Sequence, residues 1–80
     1  MPTVFEEKGY RFFFFSREGH EPIHVHVEKA ENYAKFWLDG PVLARNRGFR
    51  SRELKTIRQL VETRRAEIEE RWHEHFSDQG

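Results

Sequence analysis

The chain has 80 residues, with 14 basic and 14 acidic side chains, five histidines and no cysteine. This length allows one domain, over residues 1–80, and leaves oligomerisation or a bound ion, rather than disulfides, to support a small core. The longest apolar run, at 12–15 (FFFF), is far shorter than the roughly 20 residues that cross a bilayer, and no apolar signal segment opens the chain. We therefore expect a cytoplasmic protein without a membrane partner.

The first half of the chain has the composition of β-strands. Aromatic and β-branched segments alternate with turn residues, and the strongest strand signal is at 10–15 (YRFFFF). Bulky aromatic side chains on both faces of that segment predict a strand in the middle of a sheet. Further strands are expected at 3–5, 23–29 and 33–39, with a short edge strand at 42–44. A tight hairpin at 30–32 is expected to use Asn32 in the left-handed conformation.

The second half has helical spacing. Its apolar stripe consists of Leu54, Ile57, Leu60, Val61, Ile68, Trp72 and Phe76. This pattern predicts a helix over about 52–76, with a break near 64–66, where the stripe has its widest gap. His73 and His75 are expected at the surface, because residues two apart on a helix do not share a face. The predicted fold is α+β: a small antiparallel meander of four to five strands, over about 3–44, with a long C-terminal helix packed on one face.

Alternation along the strands predicts two sheet faces of different character. The face under the helix would carry Val25, Val27, Phe36 and Leu38. The other face would be uncovered and would carry His24, His26, Glu28, Tyr33, Lys35, Trp37 and one pair of the phenylalanines. An exposed patch of this kind usually marks an interaction surface, and Tyr33, Lys35 and Trp37 are the expected partner or dimer face.

The histidines allow three interpretations. His24 and His26 share a strand face, so both can reach one zinc or other transition-metal ion, with His20 or Glu28 completing the site. Alternatively, His20, His24 and His26 form a catalytic group that moves protons at neutral pH, as metal-free ribonucleases require. In the third interpretation they are inert, hydrogen-bonded residues of a homodimer or partner interface. The sequence does not separate the three.

Four arginines lie around the predicted start of the helix: Arg45, Arg47, Arg50 and Arg52. Positive charge at a helix N-terminus opposes the helix dipole unless an anion binds there. With the exposed backbone N–H groups, these side chains predict a phosphate or carboxylate site; solvated arginines paired with nearby acids are the alternative. Single-stranded RNA fits better than duplex DNA, because aromatic side chains on an open sheet stack with unpaired bases.

The order of these motifs resembles a known family. The segments 9–16 (GYRFFFFS), 20–27 (HEPIHVHV), 34–38 (AKFWL) and 72–76 (WHEHF) are similar to the small bacterial domain-of-unknown-function family numbered four-one-six-zero. The most specific element is H-x-P-x-H-x-H, formed by His20, Pro22, His24 and His26; many relatives have a second proline where this chain has Ile23. The resemblance implies a prokaryotic source and a small protein partner encoded nearby, in a toxin–antitoxin-like pair. It implies no particular activity.

The predicted function is one component of a two-protein, toxin–antitoxin-like module that acts on RNA through the histidine strand and the arginine cluster. The alternatives are a non-catalytic interaction or homodimerisation domain and a transition-metal-binding protein. Whether the protein is an enzyme stays open at this point.

Overall fold

The computed structural model describes residues 3–77. Five strands form one antiparallel sheet in the order β1-β2-β3-β4-β5, followed by two helices. The strands are Thr3–Glu7 (β1), Tyr10–Phe13 (β2), His24–Lys29 (β3), Asn32–Trp37 (β4) and Val42–Arg47 (β5), and the helices are Ser51–Thr63 (α1) and Arg65–Phe76 (α2). The predicted α+β fold, a meander followed by C-terminal helices, is confirmed.

The helical half is interrupted at Arg64, inside the predicted gap of the apolar stripe. This residue has φ −102° and ψ 21° and separates α1 from α2. Its guanidinium donates hydrogen bonds of 3.0 Å to Glu7 and to Glu67, which ties the break to the first strand. Neither α1 nor α2 combines the length and the apolar character needed to span a membrane, and no other helix occurs in residues 3–77.

One face of the sheet packs against both helices and forms the core. Val25 pairs with Phe36 and Val27 with Ala34 across β3 and β4, and all four side chains are buried. The helices contribute Ile57, Leu60, Val61, Ile68, Trp72 and Phe76. Because side chains alternate along a strand, Phe13 lies on the opposite face, beside His26. The predicted division of the sheet into two faces is therefore confirmed.

The last strand is longer than its sequence pattern indicates. It extends to Arg47 rather than ending near residue 44, and its pairing with β4 shifts by one residue between Lys35 and Phe36. Backbone hydrogen bonds to β4 hold this polar segment in a strand although its residues are not strong strand formers. As a result, Arg45 and Arg47 belong to the sheet and not to the start of the helix.

Positive φ occurs in several turns, two of which lie between β3 and β4 and between β5 and α1. Between β3 and β4 the left-handed residue is Ala30, with φ 56°, and not the predicted Asn32, which pairs with Lys29 in the ladder. Between β5 and α1, Gly48 has φ 98°, and a Cβ added there would lie 2.2 Å from Asn32 Oδ1. Only glycine fits this position without displacing its neighbours.

Candidate functional site

The sheet face opposite the helices is not uncovered, as the sequence predicts, because the segment 14–23 folds over one end of it. Phe14 anchors the start of this segment by contacts with Trp72 and Phe76 in the core. Gly19 then passes close to α2, where an added Cβ would meet the Phe76 side chain at 3.0 Å. Together with the Trp72 ring of α2, which lies 5.0 Å from the His24 ring, this path leaves His24 0% and His26 2% exposed.

The covering segment contributes Glu18, which joins the two buried histidines. His24 Nε2 lies 3.0 Å, and His26 Nε2 2.8 Å, from the same carboxylate oxygen, Glu18 Oε1. One ligand atom from each of the three residues lies within 4.8 Å of the others. We call these three residues the Glu-His-His group.

The second nitrogen of each imidazole has a partner of its own. His24 Nδ1–H donates to the carbonyl oxygen of Pro22 at 2.9 Å, which turns Nε2 toward Glu18. His26 Nδ1 lies 2.6 Å from the Tyr33 hydroxyl. Metal-binding histidines usually have such a partner on their other nitrogen, because it fixes the tautomer and the orientation of the ring.

A proton or another cation is required between His24 and Glu18. Because His24 Nδ1 already donates to a carbonyl, a neutral ring would present the lone pair of Nε2 to the carboxylate. Burial lowers the pKa of His26, and the nearby charges of His24 and Lys35 add to this, against the opposing effect of the contact with Glu18. Burial acts to raise the pKa of Glu18, but the hydrogen bonds and charges of His26 and His24 together outweigh this and lower it. The group is thus an ionised carboxylate held between two imidazoles.

Two imidazole nitrogens and one carboxylate oxygen are a ligand set of catalytic zinc and of non-haem iron(II). In a tetrahedral zinc site with bonds of about 2.0–2.1 Å, neighbouring ligand atoms are about 3.3 Å apart. The observed separations of 3.0 and 2.8 Å would therefore open by about 0.3 to 0.5 Å on metal binding. Three protein ligands leave a further position for water or a substrate.

One hollow adjoins the Glu-His-His group, and a second hollow lies next to the first. The first, the site hollow, has a volume of about 390 Å³ and is lined by Phe15, Glu18, His26, Tyr33, Lys35, Trp37, Ala44 and Arg45. The second, the outer hollow, has a volume of about 760 Å³, shares three of these residues and extends to Arg47. The side chains predicted as a partner face therefore form the walls of the site hollow.

The structure brings together only part of the predicted histidine site. His24 and His26 share one carboxylate as described, but His20 is exposed and does not belong to the Glu-His-His group. The other predicted ligand, Glu28, binds Arg11 at 2.7 Å. Glu18 takes the third place, and sequence reasoning missed it because the path of an irregular segment has no periodicity. The only available signal was an acidic residue shortly before the histidine motif.

The four arginines do not form one site. Arg45 pairs with Lys35, and Arg47 with Tyr33, across β5 and β4, so both lie on the face of the Glu-His-His group. Arg50 and Arg52 lie at the start of α1 and line neither hollow. There the backbone N–H of Arg50 donates to the Glu53 carboxylate at 3.3 Å, so the start of the helix has a carboxylate of its own.

The two helix histidines differ in environment. His73 is exposed, as predicted, whereas His75 is half-buried and stacks on Phe14 with ring centres 6.0 Å apart. The Nε2 atom of His75 is buried and has no hydrogen-bond partner within residues 3–77. Neither residue contributes to the Glu-His-His group.

The fold and the site define a small α+β protein in which two buried histidines and the half-buried Glu18 form a group beside a surface hollow. The chain belongs to the family described as a domain of unknown function (DUF4160), whose sequence model matches residues 9–73. This range includes all three residues of the group and confirms the resemblance. Neither a curated protein nor a solved structure gives a significant match.

Proposed function

We propose that the protein binds one divalent transition-metal ion, zinc or iron(II), through Glu18, His24 and His26. The observation that carries this proposal is the convergence of three ligand atoms within 4.8 Å of one another, two of them on buried imidazoles. A metal ion would replace the proton that the contact between His24 and Glu18 otherwise requires. It would also offset the negative charge of the half-buried Glu18 carboxylate.

The hydrogen bonds made by the second nitrogen of each imidazole suit the metal-bound form. In that form both imidazoles are neutral and direct the lone pair of Nε2 to the ion, which His24 achieves by donating Nδ1–H to Pro22. His26 achieves it by donating Nδ1–H to the oxygen of Tyr33, because a hydroxyl both donates and accepts. The bound ion would supply Lewis-acid chemistry at its remaining position.

Zinc titration of the untagged, metal-free protein tests this proposal by calorimetry. We expect one ion per chain and release of a proton on binding, since the ligands must be deprotonated. His26→Ala should weaken binding by at least about 100-fold, because loss of residues that merely orient a ligand already costs about 10–100-fold. His73→Ala is the matched control, since it removes an exposed histidine outside the group, and should leave the affinity unchanged.

Equal zinc affinity in the His26→Ala and unaltered proteins would contradict the proposed site. No binding of zinc or iron(II) to the unaltered protein would assign the group a structural role, as the hydrogen-bonded contact that holds the segment 14–23 on the sheet. Elemental analysis after purification without an affinity tag would identify the ion that is bound in the cell.

We further propose that this protein works in a two-protein, toxin–antitoxin-like module in the cytoplasm of a prokaryote, with a small protein partner and RNA as its target. This context is what the resemblance to the family implies, and Lys35 and Arg45 beside the group provide positive charge for an RNA target. Induced expression in a bacterial host, with His24→Ala/His26→Ala as the paired control, tests it. Growth arrest by the native chain alone supports an activity of the histidines, whereas equal arrest by both folded proteins contradicts it.

A non-catalytic interaction or homodimerisation domain is the rival function. Tyr33, Lys35 and Trp37 would then form the contact surface, although all three are half-buried and line the site hollow. This function predicts a melting temperature that rises with protein concentration, and loss of association on Trp37→Ala. A monomer at high concentration that does not bind the neighbouring gene product would contradict it.

A further inference from the structure

We propose that the site hollow binds the phosphate group of a nucleotide or of a single-stranded RNA, and that Arg45 is the residue that holds it. This inference deepens the proposed function and rests on it, because it assigns a substrate class to the position that the metal ion leaves open. A nucleotide and a single-stranded RNA share the same chemistry, which is a phosphate ester that carries a base.

Arg45 is the cation of the site hollow that is available for an anionic ligand. The other cation, Lys35, is 3.1 Å from the Glu21 carboxylate and lies 4.3 Å from the Trp37 ring centre. Within residues 3–77, no carboxylate lies within ion-pair distance of Arg45, which is exposed on β5. A guanidinium binds two phosphate oxygens at once, so this position favours a phosphate group over an anion that offers a single oxygen.

The charges around the site hollow match a phosphate when a metal ion is bound. The ion, Arg45 and Lys35 bring four positive charges, and Glu18 and Glu21 bring two negative ones, which leaves an excess of two positive charges. A terminal phosphate carries close to two negative charges at neutral pH. One phosphate oxygen can then occupy the open metal position while the others face Arg45.

The outer hollow provides room for the rest of a nucleotide. Its volume of about 760 Å³ lies within the range of small-molecule sites, and Phe13, Phe15 and Tyr33 contribute aromatic side chains to its walls. Arg47 lies beside them, 5.7 Å from the centre of the Tyr33 ring. Aromatic and guanidinium planes are the groups on which unpaired bases stack in protein–RNA complexes. This combination favours a nucleotide over inorganic phosphate.

The test compares three probes on the full chain, with and without zinc: inorganic phosphate, adenosine 5′-monophosphate and a six-nucleotide single-stranded RNA. Arg45→Gln should weaken binding of the monophosphate by at least about tenfold, because a charge-assisted contact is lost. Arg52→Gln is the matched control, since it removes an exposed arginine of α1 that lines neither hollow. Both variants should still bind one zinc ion per chain, because neither residue is one of the three proposed ligands.

Tighter binding of the monophosphate than of inorganic phosphate supports the use of the outer hollow. Still tighter binding of the RNA identifies single-stranded RNA as the source of the phosphate group. Equal effects of Arg45→Gln and Arg52→Gln, or no binding of any probe to the zinc-loaded protein, would overturn the inference while leaving the metal site intact. Failure to bind zinc, with Arg45-dependent binding of the monophosphate, would contradict the metal site and support the phosphate site.

Discussion

Replacement of Glu18 by glutamine should remove one of the three proposed metal ligands while keeping the size of the side chain. Its carboxylate oxygen Oε1 lies between the two imidazoles, 3.0 Å from Nε2 of His24 and 2.8 Å from Nε2 of His26. The neutral amide oxygen of glutamine binds a transition-metal ion more weakly than a carboxylate. We expect the dissociation constant for zinc to rise by at least about 100-fold.

This change has a measurable thermal consequence. At a zinc concentration of about 100 times the dissociation constant, binding stabilises the unaltered protein by about 2.7 kcal/mol. For a domain of this size, about 1 kcal/mol shifts the melting temperature by roughly 4–8 °C, so zinc should raise it by roughly 11–22 °C. In Glu18→Gln the same zinc concentration only equals the new dissociation constant, which gives about 0.4 kcal/mol and a shift of roughly 2–3 °C.

Thermal unfolding followed by circular dichroism, with zinc and with a chelator, measures the shift within each variant, so effects of the substitution on the metal-free protein cancel. His20→Ala is the control, because this exposed histidine lies outside the Glu-His-His group. It should keep the full zinc shift. A full shift in Glu18→Gln, or a lost shift in His20→Ala, would refute the assignment of the third ligand.

Two further substitutions test the packing and the pH dependence. Gly19→Ala places a Cβ at 3.0 Å from the Phe76 side chain, so we expect a loss of about 1–3 kcal/mol in the free energy of unfolding and weaker zinc binding through a displaced Glu18. Chemical denaturation measures the free energy of unfolding, and zinc titration measures the affinity for zinc. If neither quantity changes, the contact between Gly19 and Phe76 is contradicted. Burial, and then the nearby charge of Glu53, raises the pKa of Tyr10 above 10.0, so its contribution to stability is complete below that pH and is lost as the pH rises above it. Tyr10→Phe should therefore flatten the fall in stability above about pH 10, and identical pH profiles of the two proteins would show that Tyr10 is not responsible.

Local pattern was sufficient to predict most of the fold. The alternation of His24, Val25, His26 and Val27 assigns each side chain to a face of the sheet, because the period of a strand is fixed at two residues. The apolar stripe likewise identifies the C-terminal half as helical, because its spacing matches the period of a helix. The gap in the stripe predicts the break at Arg64. The turn at 30–31 was less predictable, since Ala30 takes the left-handed conformation that propensity assigns to asparagine.

The sequence by itself determined that two histidines share one sheet face and that apolar residues cover the other. Only the tertiary structure decided that Glu18 completes the group and that Arg45, but not Arg50 or Arg52, lies beside it. The physical reason is that these neighbours depend on contacts between distant parts of the chain. The path of the segment 14–23 is fixed where Gly19 meets Phe76, and the direction of Arg45 is fixed by the pairing of β5 with β4.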